Sequence, residues 1–236
     1  MASLYLIPTP IAETPPELAL PAGTLAVMHG LDTFVVENAK TARAVLKQLG
    51  HPRPMQSIRM LTLSEHTRAE ELHELLAPLL AGEDVGLMSE AGCPGVADPG
   101  AALVRLAHRH AIPVIPLVGP SALLLALMGS GLNGQRFAFH GYLPVNAQER
   151  ATALKQLESR SRNQDETELF IETPYRNGAM FQALLDSCGD TTLLCIAAGL
   201  MGPAAELFTT SIRQWRVRGW DAPKLPTVFL LYSGRS

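Results

Sequence analysis

From Val85 the chain reads an apolar tetrad, Val85-Gly86-Leu87-Met88, followed by Ser89-Glu90-Ala91-Gly92-Cys93-Pro94-Gly95-Val96-Ala97-Asp98-Pro99-Gly100. Ala101-Ala102-Leu103-Val104-Arg105-Leu106-Ala107 comes next, with helical spacing. A short buried strand, a loop dense in glycine and proline, and then a helix is how α/β proteins place ligands at the carboxyl end of a strand. Glycine lets the backbone approach a ligand and take positive φ, and proline fixes the path of the loop. Glu90 and Asp98 argue against a phosphate cradle, and no Lys-Ser or Lys-Thr pair follows as a Walker loop requires.

Further along, Ile112-Pro113-Val114-Ile115-Pro116-Leu117-Val118 reads as a second strand and Gly119-Pro120 as a tight turn. Ser121 is then placed to N-cap an apolar helix that ends near Gly129 and Gly131. The uncharged stretch from Ala111 to Gln135 reaches the ~20 residues a bilayer span needs. Pro113, Pro116 and Pro120 break it into pieces too short to cross, so a membrane protein is not expected.

Strands and helices alternate over the rest of the chain. Strands are expected at Leu4–Ile7, Thr24–His29, Thr33–Glu37, Val85–Ser89 and Val114–Val118, with helices at Thr41–Leu49, Arg68–Leu80 and Ala101–His110. Beyond Ser121 the pattern predicts strands near Arg136–Gly141, Glu168–Glu172, Thr192–Ala198 and Thr227–Tyr232, and a further segment near Ala204–Ser211. Helices are expected there near Gln148–Arg160 and Asn177–Ser187. The fold class is therefore α/β, with two α/β domains spanning residues 1–118 and 119–236. Helices between strands imply parallel pairing, and short connections in the second half imply antiparallel pairs there.

Hydrophobic residues make up 47% of the chain and charged residues 17%, which excludes disorder. A net charge of −3 provides no global basic field for nucleic acid. Cys93, Cys188 and Cys195 have neither metal-ligand spacing nor the even count of a disulfide framework, so no metal is expected. Met1-Ala2-Ser3 runs straight into a strand without the basic start of a signal peptide, which points to the cytoplasm.

Three motifs in order carry a resemblance: the Ser89–Gly100 loop, Val118-Gly119-Pro120-Ser121-Ala122, and Phe137-Ala138-Phe139-His140-Gly141-Tyr142-Leu143-Pro144. Together they resemble the tetrapyrrole methylase superfamily. The nearest likeness is to its ribosomal RNA branch, which methylates a cytidine 2′-hydroxyl of small-subunit rRNA with S-adenosyl-L-methionine. Leu4-Tyr5-Leu6-Ile7-Pro8-Thr9-Pro10-Ile11 is similar to the opening strand and turn of that branch. Phe170-Ile171-Glu172-Thr173-Pro174-Tyr175-Arg176 is similar to its Y-E-S-P-H-R segment. Charged family positions are eroded elsewhere: Asn38, Ala39 and Lys40 stand where the branch reads Asp, Thr and Arg. Ala198, Gly199 and Gly202 replace its Arg, Glu and Lys.

The resemblance implies a tetrapyrrole methylase-like fold with the cofactor in a cleft between the two domains. It implies contacts to S-adenosyl-L-methionine from Ile11, Cys93, Val96, Ser121, Ala122, Ile171, Ala197 and Thr227, and a homodimeric assembly. Arg43, His66 and Arg176 are the corresponding substrate-side candidates. Glu37, Glu90 and Glu172, each at an expected strand end, are the candidates for removing a proton. The function implied is methyl transfer to an RNA ribose 2′-hydroxyl or a related acceptor. The eroded charge weakens binding to rRNA and leaves open a tetrapyrrole or other small-molecule acceptor, or a regulatory paralogue that only binds cofactor. Arg213, Arg216 and Arg218 interleave with Trp215 and Trp220 in a cluster that could stack bases and contact phosphates.

Overall fold

The computed structural model describes residues 2–64 and 66–234. It divides into two units, Met1–Ser121 and Ala122–Ser236, a boundary three residues beyond the expected one.

The first unit contains β1 (Leu4–Ile7), α1 (Pro16–Ala19), α2 (Ala22–His29), β2 (Thr33–Val36), α3 (Ala39–Gln48), β3 (Arg59–Thr62), α4 (Ala69–Leu80), β4 (Val85–Met88), α5 (Ala101–Arg109) and β5 (Val114–Pro116). Its sheet has the order β3-β2-β4-β1-β5, and every pairing is parallel. The central strands β2 and β4 are buried throughout, as strands covered on both faces must be. All four chain exits used below, after β1, β2, β4 and β5, therefore lie at the same edge of this sheet.

Residues Thr24–His29, expected as a strand, form the body of α2. The run is apolar on every side, and such a run does not distinguish strand from helix by periodicity. Its helical form buries Thr24 and Met28, four apart, and lets the Thr24 hydroxyl donate to the Val118 carbonyl at 2.7 Å. The edge strand β3 and the short α1 had no expected counterpart. β3 is exposed at both ends and shows no alternation to reveal it.

The second unit contains α6 (Ala122–Ser130), β6 (Phe137–Tyr142), α7 (Ala147–Gln164), β7 (Thr167–Glu172), α8 (Asn177–Ser187), β8 (Leu193–Ala198), β9 (Glu206–Ser211), α9 (Ile212–Arg218) and β10 (Thr227–Tyr232). Its sheet has the order β6-β7-β10-β8-β9, parallel only between β6 and β7. Direct cross-strand partners share a face, so the register sorts the two sides of this sheet. Phe170, Phe229 and Ile196 form a row on the face whose core includes Leu154, Leu184 and Trp215 from α7, α8 and α9. Ile171, Val228 and Ala197 form a row on the opposite face, in the cluster that contains Ala126 and Leu127 of α6. Among the described residues, no helix is long and apolar enough to cross a membrane.

Candidate functional site

In the first unit, the loop after β4 is tied back to the segment after β1. Thr9 and Gly92 exchange backbone hydrogen bonds at 2.9 and 3.1 Å. The Thr9 hydroxyl donates to the Ser89 carbonyl at 3.2 Å, and the Ser89 hydroxyl donates to the Gly92 carbonyl at 2.9 Å. Gly92 has φ +75°, and a Cβ there would lie 3.6 Å from both Ile11 Cγ2 and the Pro120 carbonyl oxygen. The Cys93 thiol donates to that same carbonyl at 3.5 Å. Ile11, Gly92, Cys93 and Pro120 thus surround one cradle at the carboxyl edge of the sheet. Two of the sequence-predicted cofactor residues, Ile11 and Cys93, meet there, with Ser121 next in the chain. Burial pushes the Cys93 thiol above its ordinary value, which suits a lining residue and not a thiolate nucleophile.

Asp98 organises the remainder of this loop. Its Oδ1 accepts from the Gly95 and Gly100 amides, both at 2.7 Å, across a segment where Gly95 and Ala97 have positive φ. Burial raises the Asp98 pKa, and these two hydrogen bonds oppose the rise. Val96, expected against the cofactor, is 47% exposed at the crest of the loop. Gly119 meets a different need: a Cβ there would stand 2.3 Å from Pro8 Cβ. The exits from β1 and β5 approach each other that closely only because Gly119 has no side chain.

Two of the three carboxylate candidates belong to this edge. Glu37 follows β2, and its Oε1 accepts from the Glu90 amide at 3.3 Å. The Glu90 carboxylate accepts from the Thr41 hydroxyl at 2.6 Å. Burial raises the Glu37 pKa above its ordinary value; the Glu90 amide hydrogen bond opposes the rise, and the nearby charges of Asp98 and Glu90 add to it. Asn38 caps α3 from beneath, its Oδ1 accepting from the Lys40 and Thr41 amides at 2.9 and 3.4 Å. Arg43, half-buried in α3, donates to the Ala39 carbonyl at 3.4 Å. His66 is exposed in the segment between β3 and α4. Thr9, Thr41 and Asp98 were not singled out from sequence as site-building residues; the D-P-G turn was the available signal for Asp98.

In the second unit, Ala122, Ile171 and Ala197 share one apolar cluster, so three further cofactor candidates lie on one face. Thr227 does not join them. It pairs with Glu172 and Ala198 in the row that points to the opposite face, and its hydroxyl donates to the Leu225 carbonyl at 3.0 Å. Glu172 shares that opposite face and is 4% exposed. Arg176 Nη2 and Nε reach its Oε1 at 2.6 and 2.8 Å, so these two candidates neutralise each other.

The basic-aromatic cluster near the end of the chain is not a stacking platform. Trp215 is 2% exposed in the core, and its Nε1 donates to the Leu194 carbonyl at 2.9 Å. Arg213 and Arg216 pair with Asp190, and Arg218 lies over the Phe208 ring, 4.2 Å from its centroid. These residues form α9, whose N-cap is Ser211, and alternation of arginine with tryptophan concealed a helix with one buried side. Cys188 and Cys195 are buried free thiols, and burial pushes Cys188 up to about 12.

No family model matches the chain. It is 34% identical over 211 residues to the ribosomal RNA small subunit methyltransferase I of Mesorhizobium japonicum, a match that spans 89% of this chain and 68% of that protein. The chain belongs to this methyltransferase family. The protein of the same name from Vibrio cholerae is 30% identical over 214 residues, covering 87% of this chain and 70% of the relative. That from Escherichia coli is 33% identical over 187 residues, but the match spans only 59% of its length. Among solved structures, a uroporphyrin-III-C-methyltransferase from Thermus thermophilus superposes with TM-score 0.59 at 17% identity, over 99% of this chain and 95% of that one. The methyltransferase CobJ superposes with TM-score 0.62 at 18% identity, over 98% and 94%. These likenesses place both α/β units in the tetrapyrrole methylase fold.

Proposed function

We propose that this chain transfers a methyl group from S-adenosyl-L-methionine to a ribose 2′-hydroxyl of small-subunit ribosomal RNA. The observation that carries the reading is the convergence of Ile11, Gly92, Cys93 and Pro120 on one cradle beside the Glu37–Glu90 pair. The open side of Gly92, which a Cβ would fill, fits a ligand lying against backbone. The relatives from Mesorhizobium japonicum and Vibrio cholerae are named as small-subunit ribosomal RNA methyltransferases, which supports the choice of acceptor.

When bound, the cofactor supplies a methyl group already activated on a sulfonium. What remains for the protein is alignment and one proton. In the first unit, Ile11, Cys93, Val96 and Ser121 are the residues that would contact the cofactor; in the second, Ala122, Ile171 and Ala197 form one apolar face suited to it. Thr227 contributes through its backbone at the start of β10, since its side chain faces the other way. Glu37 accepts the proton from the ribose hydroxyl. Its raised pKa makes it a stronger base than an ordinary surface carboxylate, and the Glu90 amide holds its orientation. Lys40 and Arg43, on the first turns of α3, hold RNA phosphate near this carboxylate. Two copies of the chain act together as a homodimer in the cytoplasm.

Titration calorimetry with S-adenosyl-L-methionine and with its demethylated product tests the reading. Heat of binding is expected for both ligands and is abolished in Ala122→Trp, which keeps the wild-type circular dichroism spectrum. The absence of both heat and a thermal shift at millimolar ligand would remove the methyltransferase reading.

A further inference from the structure

Asn177, the first residue of α8, is fully buried and used as a donor alone. Its Nδ2 lies 2.9 Å from the Pro223 carbonyl, 2.9 Å from the Leu225 carbonyl and 3.0 Å from Thr227 Oγ1. Its Oδ1 has no hydrogen-bond partner among the described residues. A buried amide that forgoes its acceptor while serving several oxygens marks a position where donation matters.

The segment it holds, Pro223–Thr227, grips the turn after β8. The Gly199 amide donates to the Pro226 carbonyl at 2.9 Å, continuing the β8–β10 pairing by one step. Gly199 has φ +57°, and a Cβ there would come within 2.8 Å of Leu225 Cδ1. Leu200, the next residue, packs in the same apolar cluster as Ala197, Ile171 and Ala122. A chain of contacts thus runs from Asn177 through Pro223–Pro226 to Gly199 and Leu200, and so to the apolar wall. This is also where the chain carries Ala198 and Gly199 in place of the charged residues of the resembling branch.

We propose that Asn177 is a positioning residue for the cofactor. It clamps the 223–227 segment over Gly199 and thereby fixes the wall formed by Ala197, Leu200 and Ile171. The proposal rests on the methyltransferase reading and deepens it. It distinguishes donation from volume: Asn177→Leu keeps the bulk and removes the donor, whereas Asn177→Asp keeps the shape and turns a carboxylate toward the same oxygens. Asn177→Ser retains a single donor.

The experiment measures S-adenosyl-L-methionine affinity by calorimetry for wild type and these variants, with amide hydrogen exchange at Gly199 as a local readout. Wild type binds; Asn177→Leu is expected to weaken binding about tenfold, Asn177→Asp more, and Asn177→Ser less. Exchange at Gly199 accelerates in the same order, while amides in β1 and β4 keep their wild-type rates. Under turnover the loss falls on KM for the cofactor, and kcat stays within about twofold. If Asn177→Leu does not fold, the Asn177→Ser comparison stands alone. Equal affinity and equal Gly199 exchange in wild type and Asn177→Ser or Asn177→Leu would overturn the clamp and leave the methyltransferase reading intact. A wild-type protein that binds no cofactor would overturn both.

Discussion

Replacing Gly119 with alanine is the sharpest single test of how the carboxyl edge of the first sheet, the proposed cofactor edge, is built. Gly119 is not in the left-handed region, so added backbone strain plays no part and the effect is steric. The new Cβ would sit 2.3 Å from Pro8 Cβ, 2.7 Å from Pro8 Cγ and 3.0 Å from Leu20 Cδ2. Carbon atoms in contact prefer about 3.5–4.0 Å, so the exits of β1 and β5 must part by more than ~1 Å. The proline ring cannot rotate aside as a flexible side chain would. Overpacking of this kind costs about 1–3 kcal/mol, and the rigidity of Pro8 puts the expected cost at about 3 kcal/mol. For a chain of this size that corresponds to a fall in Tm of about 6–12 °C. Parting these exits also moves Pro120 away from Ile11, so cofactor affinity falls along with stability. The matched control is Gly134→Ala, where nothing lies within 4 Å of the new Cβ; its Tm stays close to wild type. Scanning calorimetry of both variants decides the matter. A Gly119→Ala protein that melts with the control and binds cofactor at wild-type affinity would refute the close-approach argument.

Three further outcomes are expected. Asn146 caps α7 by accepting from the Gln148 and Glu149 amides at 2.9 and 3.2 Å, so Asn146→Ala lowers stability in urea unfolding by about 1 kcal/mol. His140→Ala strips the buried Glu168 of its 2.5 Å partner and leaves it, among the described residues, the Arg160 guanidinium at 3.5 Å. The loss is about 3–5 kcal/mol, and adding Glu168→Leu recovers most of it; a double variant no more stable than the single would contradict this. His51 Nδ1 accepts from the Arg53 amide while Nε2 faces the Leu31 carbonyl, and burial lowers its pKa below 6.5. The unfolded chain then takes up the proton first, so this stability is intact above pH 6.5 and declines as pH falls from there toward the folded value; His51→Gln flattens that acid limb in urea titrations.

Much of the architecture was legible because its strands are short apolar runs set between turn residues. Leu4–Ile7, Asn177–Ser187 and Thr227–Tyr232 begin and end where the pattern places them. Thr24–His29 was not legible, since a run apolar on all sides folds as either element and only the packing of Thr24 and Met28 decides. The loop and turn at the carboxyl edge of the first sheet were legible because Gly92 and Gly119 each meet a local backbone demand that recurs as a motif. The faces of Thr227 and Glu172 could not be read from sequence, because side-chain direction follows from strand register, which a single sequence does not reveal. Trp215 misled for the opposite reason: its neighbouring arginines are solvated, yet the indole lies in the core between β8 and α8. Asn177 gave no signal, since its role exists only once Pro223 and Leu225 are folded back upon it.

The most direct test is tritiated methyl transfer from S-adenosyl-L-methionine onto small ribosomal subunits that lack the modification. Total tRNA and tetrapyrrole precursors serve as parallel acceptors. Label is expected on small-subunit rRNA, at a ribose whose 3′ linkage becomes resistant to alkali, and is reduced in Glu37→Gln. With a net charge of −3 and neutral residues at Ala198, Gly199 and Gly202, the reaction is slow and only shallowly salt-dependent. Label confined to the tetrapyrrole or to tRNA, or absent from every acceptor while the cofactor binds, would contradict the account.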